Sequence, residues 1–163
     1  VSIDNIELVS NLKPVDKAIK DGAADNLPVY QFKGGISVIP VYGAGLWGPI
    51  WGYVAIGADG QTIKGVYFDH ASETPGLGAK IKDEPWFREK FAGKKAAFSQ
   101  SPIFTIAKNA EADGAENAVD AITGATMTSK GLNAAVNTWC VNAKRCYKPM
   151  LKSSITMMKS WTL

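Results

Sequence analysis

The chain has 163 residues, 46% hydrophobic and 20% charged, with a net charge of +3 and a mean hydropathy near zero. That is enough to bury one sizeable core and too little for two ordinary domains. The densest basic cluster, Lys144-Arg145 with Lys148, is too short for the concentrated stripe of a nucleic-acid binder, and no run of roughly 18 apolar residues is present to span a bilayer.

The start, Val1-Ser2-Ile3-Asp4-Asn5, has neither a basic leader nor an apolar signal core. It reads as a soluble chain or as one from which a targeting or anchoring segment has been removed. Ile3, Ile6, Val9 and Leu12 recur at threes, which predicts a short amphipathic helix over 3–12, stopped by Pro14. Two apolar stretches, Val29 to Phe32 and Ile36 to Ile39, flank Gly34-Gly35 and read as strands around a turn. A hairpin follows, with Ile50 to Ile56 and Thr62 to Phe68 joined through Asp59-Gly60.

Residues 70–79 form a loop punctuated by proline and glycine. Asp83 as N-cap and Pro85 in the first turn predict a short helix over 83–91. Strand-like pieces at 96–98 and 103–107 lead into a polar, acidic loop over 109–118. The last clear helix starts near Thr126 or Thr128, because Leu132, Ala135, Val136 and Trp139 fall at i, i+3, i+4 and i+7. Beyond Pro149, Leu151, Ile155, Met158 and Trp161 mark a weakly patterned terminal helix. The whole reads as an α+β fold: one domain over 1–163, a mostly antiparallel sheet with flanking helices.

Cys140 and Cys146, with the single histidine His70 far away, cannot build a four-ligand zinc or cluster site, so no metal site is expected. Six residues apart on a helix, the two thiols point to different faces, and a buried or idle pair is expected. Gly43-Ala44-Gly45-Leu46-Trp47-Gly48 has the spacing of a dinucleotide fingerprint, but Pro49 and an evident strand follow where that motif needs a helix. It reads instead as a glycine-rich approach to a strand that lets Trp47 lie against something flat.

Two further stretches carry chemistry. In His70-Ala71-Ser72-Glu73-Thr74-Pro75-Gly76-Leu77-Gly78, Thr74 precedes proline and is pushed toward extended backbone, while Gly76 and Gly78 permit close approach to a planar ligand. His70, Asp69 and Glu73 read equally as a structural group, and no nucleophile–base pair is recognisable, so no catalytic residue is assigned. In Asp120-Ala121-Ile122-Thr123-Gly124-Ala125-Thr126-Met127-Thr128, Thr126 or Thr128 caps a helix and Gly124 permits the turn. The same geometry suits a phosphate, since free amides and the helix dipole both favour an anion.

Together these segments resemble one family. Asp120-x-x-Thr123-Gly124-Ala125-Thr126 is similar to the flavinylation motif of FMN-binding domains. Gly45-Leu46-Trp47 and Glu73-Thr74-Pro75-Gly76-Leu77-Gly78 resemble segments of the C subunit of sodium-translocating NADH:quinone reductases, and the related G subunit of the Rnf complex has the same domain type. The resemblance spans roughly residues 30 to 140. It implies FMN joined to Thr126 through a phosphoester placed by a dedicated flavin transferase, with Asp120, Thr123, Gly124 and Ala125 in the recognised motif and Thr128 capping the helix. It further implies that Leu46 and Trp47 cover the flavin ring, with Glu73, Thr74, Gly76, Leu77 and Gly78 edging the ring and ribityl chain. Lys94 and Lys95 read first as exposed, solvated lysines, with an offset of flavin or phosphate charge as the alternative.

Such a domain relays electrons among the other subunits of a sodium-translocating, membrane-bound oxidoreductase and has no turnover of its own. The resemblance places it on the periplasmic side of a bacterial inner membrane, single-pass anchored by a helix that would precede Val1. An Rnf-type subunit, and a noncatalytic ligand-binding or structural module with only a capped helix at Thr126, are the alternatives. Residues 150–163 lie outside the resemblance.

Overall fold

The computed structural model describes residues 6–24, 27–111 and 114–146. Alternating apolar residues build an antiparallel sheet whose spatial order is its chain order: β1 (Tyr30–Gln31), β2 (Ser37–Ala44), β3 (Pro49–Ile56) and β4 (Ile63–His70). Ile39 pairs with Val54, and Val54 with Val66, so every second side chain points to the main core. Val38 and Tyr53 lie on the other face in a smaller cluster with Tyr30, Phe32, Ile36 and Ala55. Both expected turn pairs hold: Gly34-Gly35 joins β1 to β2, and Asp59-Gly60 joins β3 to β4.

Helix α1 (Ile6–Lys20) differs from expectation, because it runs straight through Pro14. An internal proline removes one hydrogen bond and crowds the preceding turn at a cost of about 3 kcal/mol. Contacts on either side of it oppose that cost: Leu12 and Ile19 are buried, and the buried Asp16 accepts hydrogen bonds from Trp139 Nε1 at 3.0 Å and Lys20 Nζ at 2.6 Å. The helix expected over 83–91 is two short pieces, α2 (Lys80–Asp83) and α3 (Pro85–Glu89). Asp83 ends the first instead of capping the second; the extended Glu84 stands before Pro85, as a residue before proline tends to.

Of the two strand-like pieces, only β5 (Thr105–Ala107) forms a strand, and it pairs in parallel with β6 (Ala118–Asp120), at the end of the stretch expected to be loop. Residues 96–98 bond in two directions instead, Ala96 N–H to Gln61 O and Ala97 N–H to Ile103 O.

Helix α4 (Thr126–Cys146) lies across the main face of the sheet with Leu132, Ala135, Val136 and Trp139 all buried. Its Asn137 carboxamide accepts from Ile103 N–H at 2.9 Å and donates to Phe104 O at 2.8 Å, and Asn133 Oδ1 accepts from Ile106 N–H at 2.8 Å. The helix side chains thus satisfy one edge of β5. A Cβ on Gly131 would collide with Ala44 O, so α4 reaches the end of β2 only because residue 131 has no side chain. Among the described residues no helix is long and apolar enough to cross a membrane. The helix expected over Leu151–Trp161 falls outside them.

Candidate functional site

Three segments, far apart in the chain, meet at one end of the sheet. The first is the tight turn between β2 and β3, closed by Gly45 N–H to Gly48 O at 2.7 Å. It joins antiparallel strands, so no phosphate-binding helix follows. The turn holds Leu46 and Trp47 outward, 50% and 65% exposed. Ser72 Oγ donates to Trp47 O at 2.9 Å, tying the turn to the second segment.

That segment is the loop after β4. Thr74 O accepts from the amides of Leu77 and Ala79, both at 3.1 Å, which curls the loop so that exposed Thr74 and Leu77 stand on its rim. Gly76 serves this curl with a φ of +73° and has open space around it. Glu73 is turned inward and is only 4% exposed. Its Oε1 accepts from Trp47 N–H at 2.8 Å, and its Oε2 accepts from the Thr128 hydroxyl. A Cβ on Gly45 would fall 2.5 Å from Oε1, and one on Gly78 would fall 2.5 Å from both Oε2 and Thr128 Oγ1. The close approach expected at Gly78 is therefore to this carboxylate, not to a ligand.

Burial is the largest influence on the Glu73 carboxyl and would raise its pKa. The hydrogen bonds from Thr128 and from the amides of Trp47 and Leu46 outweigh it and hold the group below the usual carboxylate range. His70 Nδ1 accepts from Glu73 N–H at 3.1 Å, and Asp69 bonds His70 N–H and Lys82, so this trio is structural.

The third segment is the turn into α4. Asp120 Oδ1 accepts from Glu111 N–H at 3.0 Å and braces the loop ahead of the turn. Gly124 has a φ of +81°, which no β-branched residue would adopt without strain, and Leu77 Cδ2 sits 3.0 Å from where its Cβ would be. Buried Ala125 bonds back through its amide to Ile122 O at 3.0 Å, while Thr123 stays exposed. Thr126 opens the helix, exposed, and its hydroxyl has no partner among the described residues. The amides of Thr126, Met127 and Thr128 likewise find no acceptor among them, as the first turn of a helix leaves them.

Thr128 does not cap the helix as expected. It is the third helical residue, 1% exposed, with its hydroxyl consumed by Glu73. Lys94 and Lys95 are also engaged elsewhere: Lys94 Nζ donates to Ala115 O at 3.1 Å and Lys95 pairs with Glu116 at 2.7 Å. Sequence reasoning missed Met127, which is 55% exposed beside Thr126, and Ser72 and Gly131, which fix the turn and the helix in place. The signal for Met127 was present: an apolar residue in the first turn, outside the buried stripe.

These features fit a flavin mononucleotide. Free amides at the positive end of a 21-residue helix suit a phosphate, and the exposed hydroxyl there can be esterified by it. Among the described residues, four of the seven large apolar side chains left exposed, Leu46, Trp47, Leu77 and Met127, stand on the segments that converge here and offer a flat ring an apolar seat.

Comparison with known proteins identifies the family. Residues 45–141 match the family described as FMN-binding domain. The chain is 38% identical over 117 residues to the C subunit of the Na(+)-translocating NADH-quinone reductase of Yersinia pestis, covering 71% of this chain and 42% of that protein. It is 34% identical over 142 residues to the C subunit of the Vibrio campbellii reductase, covering 83% and 54%. The crystal structure of the corresponding C subunit from Parabacteroides distasonis aligns with a TM-score of 0.63 at 36% identity, covering 72% of this chain and 60% of that one. The chain spans about half the length of these curated relatives.

Proposed function

The chain belongs to the FMN-binding domain family, and on that premise we propose that it is an electron-transfer domain with FMN joined by a phosphoester to Thr126. One observation carries this reading: an exposed threonine hydroxyl at the free-amide end of α4, beside outward-facing Leu46, Trp47 and Leu77.

Thr126 Oγ would form the new ester bond to phosphorus, with a flavin phosphoanhydride presented by a flavin transferase as donor; its anhydride P–O bond would break, the remaining nucleotide would leave, and the hydroxyl proton would pass to a base of the transferase. Among the described residues, Thr126 has no base of its own, which agrees with a modification performed by another protein. Exposed Thr123 and Gly124 give that enzyme access, with Asp120 and Ala125 holding the motif in shape. The amides of Thr126 to Thr128 hold the phosphodiester charge.

Leu46, Trp47, Leu77 and Met127 would exclude water from one side of the ring, with the exposed Thr74 and Gly76 at its border. When bound, the flavin supplies one- and two-electron redox chemistry at a fixed place, and a tethered group suits a relay whose donor and acceptor are other proteins. Those partners are the remaining subunits of a membrane-bound, sodium-translocating NADH:quinone oxidoreductase. The placement on the periplasmic side of a bacterial inner membrane, with a membrane anchor, rests on the family resemblance alone.

Intact-mass measurement after co-production with the transferase tests the reading. The protein becomes yellow, keeps its flavin through denaturation, and gains the mass of one FMN less one water. Thr126→Ala abolishes that gain. A Thr126→Ala protein that still carries covalent flavin overturns the assignment.

A further inference from the structure

We infer that Glu73 is a positioning residue: it locks the Leu46–Trp47 turn to the first turn of α4, so that the ring seat and the phosphate anchor are in register before any cofactor arrives. This rests on the reading of Thr126 as the flavin anchor.

Glu73 spends both carboxylate oxygens on the other two segments of the site, and none on its own loop. Its partners lie 26 residues before it and 55 after it. Gly45 and Gly78 leave the space that the carboxylate fills, so the turn and the loop each carry a residue whose missing side chain admits Glu73. Leu46 and Trp47 project outward, 50% and 65% exposed, so Glu73 joins a short set of other ties on the turn: the Ser72 hydroxyl to Trp47 O, the Ala71 amide to Pro49 O, and the close approach of Gly131.

The lock also selects the anchor. The first turn of α4 carries three hydroxyls, on Thr126, Thr128 and Ser129. Thr128 donates to Glu73, and Ser129 Oγ accepts from Ile122 N–H at 3.3 Å; both are buried. Thr126 alone is left facing outward.

The test uses the full chain as Glu73→Ala, Glu73→Gln and Thr128→Val, with two readouts. The first is hydrogen exchange of the Leu46 and Trp47 amides in the flavin-free protein. The second is the emission of the covalent flavin, which a nearby indole quenches, after loading with the transferase. Glu73→Ala is expected to speed exchange in the turn by about tenfold, in line with loss of one buried hydrogen bond, and to brighten the flavin severalfold. Flavin remains on Thr126. Thr128→Val keeps the shape of the residue and shifts both readouts the same way by less.

Glu73→Gln rescues both readouts to within about twofold, since a carboxamide can still accept from Trp47 N–H and donate to Thr128 Oγ1. Unchanged exchange and unchanged emission in Glu73→Ala would sink the inference. So would a uniform rise in exchange across the whole chain, which marks a residue that merely stabilises the fold. If the unmodified sequence takes up no flavin, the cofactor reading fails, while the exchange readout still judges the lock.

Discussion

Two buried assemblies hold this protein together by opposite means. Beside β4, Phe68, Phe87, Phe91 and Phe104 are buried as a four-ring cluster, with Phe91 at 5.4 Å from each of the other three ring centroids. At the end of the sheet, Glu73 gathers the Thr128 hydroxyl and the amides of Trp47 and Leu46 into a polar knot. The rings exclude water over large areas with broad tolerance in geometry, so they supply stability. The knot gains little net energy from its bonds but is costly to leave half-made, so it specifies one arrangement of three segments. The fold rests on the first assembly and the site on the second.

The largest expected effect breaks the aromatic side. Phe91→Ala should lose about 3–5 kcal/mol of stability, the usual cost of truncating a fully buried aromatic. Urea unfolding measures it, and the folded fraction should still accept flavin at Thr126. A loss below about 1 kcal/mol would show that the cluster is not the structural centre of the fold.

Glu73→Ala should cost less, about 1–3 kcal/mol, because a buried hydroxyl and amide lose their acceptor while few apolar contacts change. Its pH dependence separates the two assemblies. The folded pKa of Glu73 lies below its ordinary value of 4.5, so the ionised group favours the folded state. That contribution is fully present above about pH 4.5 and fades as the pH falls through the depressed folded value. The stability difference between Glu73 and Glu73→Gln proteins should therefore be flat from about pH 6 to 8 and shrink in acid. The Phe91→Ala difference should not change with pH by this route. Unfolding curves at a series of pH values decide it, and a knot whose contribution grows in acid would contradict the sign.

A buried thiol gives a smaller, purely kinetic expectation. Burial pushes Cys140 up to about 12, so in the native protein it should resist alkylation at about pH 8 and react only on unfolding. Rapid native labelling at Cys140, located by peptide mapping, would show that the α4 core opens far more readily than its packing implies.

What was legible in the sequence follows the same division. The hairpin over 50–68 and the stripe from Leu132 to Trp139 rest on local periodicity, and both are present. The path of α1 past Pro14 was not legible, because the contact that secures it, Asp16 to Trp139, spans 123 residues. Strand β6 is three residues long and pairs in parallel, so no local alternation announced it. At the site, the motif residues could be named from their order in the chain, but not the direction of their side chains. Glu73 and Thr128 were expected to face the ligand and helix end, and they face each other. Gly78 was expected to admit a ligand, and it admits Glu73. A desolvated carboxylate with partners on two remote segments is a tertiary fact, invisible until the segments meet.

The smallest expected effect on stability sharpens the comparison most. Leu46→Ala and Trp47→Ala should each change the stability of the flavin-free protein by no more than about 0.5 kcal/mol, as is usual for exposed positions. Trp47 is 65% exposed and takes part in no ring contact among the described residues, so folding draws little from its indole. A large apolar side chain that the fold does not use needs another reason to stand on a turn fixed by a buried carboxylate. If that reason is the flavin, Trp47→Ala should brighten the tethered flavin and shift its midpoint potential while the unfolding curve stays in place. Loss of stability with unchanged flavin properties would instead make Trp47 part of the fold, and the division between the two assemblies would fail at the residue where it is drawn most sharply.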